Sequence, residues 1–165
     1  MIFKFRLLSS ENDDFIRDFE ISSEQTFYDL HLAIQKNCNY DTSQIASFFL
    51  CNTDWEKENE ITLFELSEDL GKNILVMDNS ILSRHITGLR QKLLYIFDIF
   101  NERAFFIEVV DIRDAVTSKS YPICTLSEGS PPVQILLNEI FRGIDYLNDA
   151  DTDENFPGDD EPIEE

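Results

Sequence analysis

The residue best placed to do chemistry in this chain of 165 residues is a carboxylate set among large apolar side chains. In KLLYIFDIF, Asp98 alternates with Leu94, Ile96 and Phe100, and neither residue two places away is polar. An apolar setting disfavours the charged form, so such a group finds a partner or shifts its pKa into the range of a general acid or base. The sequence offers Arg103, across the turn Asn101–Arg103, and we read the two as a structural ion pair. His31, in YDLHLAIQ, and His85, in LSRHI, lack a second His, Cys or carboxylate three or four residues away, the spacing that makes a helical zinc site. Both read as hydrogen-bonded structural histidines. Cys38, Cys51 and Cys124 are far apart and lack a C-x-x-C spacing or a basic neighbour, so neither a disulfide framework nor a nucleophilic thiol is indicated. Asp149, Asp151 and Asp153 open like a calcium loop, but Glu154 stands where glycine is needed and Pro157 and Asp160 break the rest. No phosphate-binding glycine loop or nucleophile elbow is present. The catalytic reading therefore requires Asp98 and His31 to meet the segment Tyr121–Gly129, which carries Cys124, in one cleft. Trp55, in a polar turn, is a candidate partner anchor or a lid on the sheet.

The elements that would position these residues form an α+β pattern, an antiparallel or mixed sheet with few helices. Residues 2–8 and 15–21 alternate apolar and polar around the turn SSENDD and predict a hairpin. Thr26 as N-cap, with Asp29 at N3, opens a helix to about Asn37 that carries Phe27, Leu30, Ala33 and Ile34 on one face. Ile45–Cys51 predicts a third strand, completing a strand-strand-helix-strand half. TDWEKENE reads as a polar turn, ITLFEL as a short strand or helix, and Ser80 as the cap of a short helix over 81–87. Lys92–Arg113 is the central β-hairpin; both of its faces are apolar, so both should be covered. TSKSYPICTLSEGS reads as a loop. Ser130 and Pro131 then open a C-terminal amphipathic helix with Val133, Leu136, Leu137, Ile140, Phe141, Ile144 and Leu147 on one stripe. We expect one domain over 1–148 and an acidic, disordered tail over 149–165.

Charge narrows the function classes. The net charge is −20; no Lys or Arg follows Arg142, whereas ten Asp and Glu lie from Asp145 onward. The body up to Ile144 still carries −10, which argues against general binding to nucleic acid, since such affinity comes from Lys and Arg. The start, MIFKFRLL, has no signal-peptide pattern, and no run approaches the roughly 20 apolar residues of a membrane span. A cytoplasmic protein with reduced thiols, no metal and no cofactor is expected.

Three segments resemble the plasmid pRiA4b ORF-3-like family. Tyr95, Phe97 and Asp98 match the family's strand Y-x-Y-D-F-G-D, continued by the run from Arg103 to Glu108. Tyr121-Pro122-x-Cys124 with Glu128-Gly129 and Pro131-Pro132 is similar to its Y-P-x-C…G-E…P-P-E-D segment, and Asp29-Leu30-His31 matches its D-L-H. Phe100 and Asn101 replace the family's Gly and Asp, and Val133 and Gln134 replace its E-D, so a polar site built from those acids would be half lost here. The resemblance implies an α+β fold and an association with mobile elements. Together these readings favour a non-catalytic protein-interaction module over a small-molecule-binding or hydrolytic enzyme near Asp98, or a mobile-element accessory protein.

Overall fold

The computed structural model describes residues 1–65 and 74–136, and its strands form one mixed sheet of eight in the order β5-β4-β3-β6-β7-β1-β2-β8. β1 (Ile2–Ser9) and β2 (Ile16–Ser22) make the first hairpin, β3 (Ser47–Cys51) lies beside β4 (Lys57–Thr62), and β6 (Lys92–Asp98) and β7 (Arg103–Arg113) make the central one. β7 then pairs with β1, β3 with β6, and β8 (Ile123–Glu128) with β2, all antiparallel; only β5 (Leu75–Val76) runs parallel, beside β4.

The helix α1 (Phe27–Cys38) begins where its cap chemistry places it. Thr26 Oγ1 accepts from the Asp29 amide, and Asp29 Oδ2 accepts from the Thr26 amide at 2.9 Å, satisfying two otherwise orphaned donors. Its last turn closes on Asn39, left-handed at φ 54°. Phe27, Leu30 and Ile34 are fully buried against the inner face of the sheet, where Phe5, Leu7, Phe19, Phe48, Tyr95, Phe105 and Ile107 lie. Phe105 is the hub of this core. The rings of Phe15, Phe97, Tyr40 and Tyr95 all lie within 4.8–6.3 Å of it.

The chain divides into two units, Met1–Gln134 and Ile135–Glu165. Beyond residue 136 the second lies outside the described residues, and with it the acidic segment 149–165. No described helix is long and apolar enough to cross a membrane.

Four expectations are corrected. The loop read over 117–130 contains strand β8, whose apolar residues are too few for a periodic signal but whose backbone completes the ladder with β2. Strand β4 starts inside the polar run KENE; its first four residues are exposed, so backbone pairing with β3 decides its state. The helix over 81–87 is a single 3-10 turn at Leu82–Arg84, whose leading amides, those of Leu82 and Ser83, bond the carbonyls of Gln25 and Ser23. Residues 131–136 are not helical: the carbonyls of Pro132, Val133 and Gln134 accept from Tyr40 and Arg103, and the Gln134 side chain pairs with the backbone of Asp41. The rest of that apolar stripe lies outside the described residues.

Candidate functional site

Asp98 closes β6 at an irregularity in the β6–β7 register and is buried. Its Oδ2 lies 3.4 Å from Arg103 Nη1 and accepts from Asn101 Nδ2 at 2.9 Å; Oδ1 accepts from the Asn101 amide at 3.3 Å. Arg103 uses its remaining donors on Glu11 at 2.8 Å and on the carbonyls of Val133 and Gln134, with its guanidinium 4.9 Å from the Phe97 ring centre. The ion pair expected from the sequence is present, and hydrogen bonds from the turn reinforce it. The strand ends two residues earlier than its apolar run, so Ile99 and Phe100 are exposed and do not fill the second face, Phe100 at 93%.

His31 has its partners elsewhere, on α1 and in the middle of β6. His31 Nδ1 is 2.7 Å from the Tyr95 hydroxyl, which also accepts from Gln35 Nε2 at 2.7 Å. All three side chains are buried, and desolvation holds the His31 pKa down at about 4. A neutral imidazole whose Nδ1 accepts the tyrosine proton is the arrangement this leaves. No hydrogen bond or ion pair joins His31 to Asp98.

Trp55 sits in the β3–β4 turn at φ 65° and lies edge-on to Phe106, with Lys92 Nζ 4.9 Å from its ring centre. It covers the small outer-face cluster of Cys51, Leu94 and Ile96. Among the described residues, the second face of the central hairpin is covered by side chains, with Trp55 lying over it as a lid. Elsewhere on the outer face the basic residues are matched: Lys4 with Glu20 at 3.4 Å and Arg6 with Asp18 at 2.8 Å. Burial pushes the Glu20 carboxyl up, but Arg113 and Lys4 more than offset it and hold it below its ordinary value.

Tyr121 and Cys124 flank the start of β8. The Tyr121 carbonyl accepts from Gln25 Nε2 at 3.1 Å, and the Tyr121–Pro122 peptide is cis. The Cys124 thiol donates to the Leu126 carbonyl at 3.2 Å, and burial pushes its pKa up. At the other end of β8, Gly129 has φ +67°, and a Cβ there would lie 2.4 Å from the Asp14 carbonyl oxygen. This corner is clamped by Arg17, which the sequence reading passed over. It is buried on the Phe15/Phe19 face of β2 and donates to Asn37 Oδ1 at 2.6 Å and to the carbonyls of Ile16, Glu128 and Gly129. A charge on an apolar strand face was visible in the sequence, as it was for Asp98.

A concave feature that was not anticipated lies here. A cleft of about 600 Å³ runs between α1 and the first residues of β8, walled by Leu32, Ala33 and Lys36 on one side and by Pro122, Ile123 and Cys124 on the other. Of the six sequence candidates only Cys124 lines it; Asp98, Arg103, His31, Tyr121 and Trp55 do not. Among the described residues no group of three or more His, Cys, Asp and Glu is placed to hold a metal ion, and the calcium-like aspartates lie outside them.

A crystal structure of a protein of unknown function from Methanosarcina mazei Go1 has the same fold, with a TM-score of 0.64 and 19% identity, over 93% of this chain and 84% of that one. No curated protein matches the chain significantly in sequence. The profile of the plasmid pRiA4b ORF-3-like protein family matches residues 2–135, which span all three motif segments described above. The chain belongs to that family.

Proposed function

We propose that this protein is a non-catalytic interaction module that receives a protein partner in the cleft between α1 and β8. The observation that carries the reading is a division of labour. The groups able to do acid–base chemistry are occupied inside the fold, whereas the cleft presents apolar side chains to solvent, among them Leu32 at 39% exposure. Asp98 is bound by Arg103 and Asn101, and His31 by Tyr95. Neither lines the cleft, so the convergence that the enzyme reading requires is missing from the support for it. Trp55 supports a covering role on the outer face better than an anchoring one.

A photo-crosslinking side chain at position 32, with a second variant carrying it at position 55, tests this in cells that make the protein. The expected result is a discrete cross-linked protein from position 32 that is lost when Ala33 is changed to Glu, and none from position 55. Cross-linking from position 55 alone, or from neither, would count against the module.

A further inference from the structure

Resting on that reading, we propose that the partner binds as an extended segment that adds a ninth strand to the outer edge of β8. β8 is the last strand of the sheet, and among the described residues it pairs only with β2. Every second N–H and C=O along its other side therefore faces away from the ladder, and an extended peptide is the ligand that matches such a row. Edges are normally blunted by shortness, Lys or Pro. The opposite edge, β5, is blunted in this way: it has two residues. β8 has six, Ile123–Glu128, with neither Lys nor Pro among them, so it can hold a partner of strand length.

The cleft supplies the selectivity that backbone pairing lacks. One of its walls is the start of β8 itself and the other is α1, so a strand laid along β8 would direct alternate side chains between them. Those side chains meet Leu32, Ala33, Pro122 and Cys124 and are apolar by complementarity. Lys36 fixes the remaining chemistry. It is exposed at the cleft wall and has no ion pair among the described residues, on a chain of net charge −20. Asp29, the other charged group lining the cleft, is engaged by Thr26 at the helix cap. The partner segment accordingly carries a carboxylate opposite Lys36 as well as apolar alternation.

A displayed library of random peptides, selected on the full chain, provides the probe, and backbone hydrogen exchange of the chain with and without a selected peptide provides the readout. Strand addition predicts slowed exchange within 123–128, apolar alternation with an acidic residue in the selected sequences, and affinity reduced roughly threefold to fivefold in Lys36→Gln. Peptides that bind in the cleft yet leave the exchange of 123–128 unchanged would overturn strand addition while leaving the module intact. A library that yields no binder lost in Leu32→Glu would also overturn it, and the module would then stand or fall on the cross-linking result alone.

Discussion

A buried ion pair is best judged by what remains when one member is removed. Arg103→Met leaves Asp98 buried with Asn101 as its one hydrogen-bond partner among the described residues, and should cost about 3 kcal/mol of stability in urea denaturation. Adding Asp98→Asn to that variant should restore part of the loss, since no uncompensated charge is then left inside. The same reasoning applies to His31. The fold retains the neutral imidazole, so the unfolded chain binds a proton at higher pH, near 6.5, than the folded chain does, near 4. Its contribution is complete above pH 6.5 and is lost as the pH falls toward about 4. Relative to His31→Gln, the native chain should therefore lose on the order of 2 kcal/mol between pH 7 and pH 4, read from denaturation midpoints at each pH. Tyr95→Phe removes the hydroxyl shared by His31 and Gln35 and should cost about 2 kcal/mol by the same measurement.

At the scale of elements, periodicity and caps were the legible signals. The first hairpin, α1 with its Thr26–Asp29 box, and the β6–β7 hairpin all follow from apolar spacing and short polar turns. What periodicity could not reveal were strands fixed by their neighbours. β8 and the start of β4 bury little, so their sequences resemble loops while their backbones complete a ladder. The apparent helix start at Pro131 failed for the converse reason: a good local signal was overridden by tertiary hydrogen bonds from Arg103 and Tyr40. The cleft was illegible because one of its walls is β8. Gly129 marks how tightly that strand is seated. Gly129→Ala meets both a left-handed φ and the Asp14 carbonyl, so it should cost about 2 kcal/mol or more, read as a lowered Tm in thermal unfolding.

For the molecule as a whole, the family motifs and the surface play separate parts. Asp29 caps α1, His31 and Tyr95 lock it to the sheet, Asp98 ties off the central turn, and Gly129 admits the close approach of the chain beside β2. Motif residues that could have been read as catalytic are in these contacts fold-building ones. On the proposed reading the β8 edge, which pairs only with β2 among the described residues, and the cleft beside it meet the partner. The most direct test pairs two variants, Asp98→Asn and Leu32→Glu, and measures for each the affinity of the folded protein for the partner captured through position 32. The account predicts that Asp98→Asn lowers Tm but binds the partner as the native chain does, whereas Leu32→Glu keeps its Tm and loses binding. Loss of binding in folded Asp98→Asn, with Leu32→Glu unaffected, would contradict it.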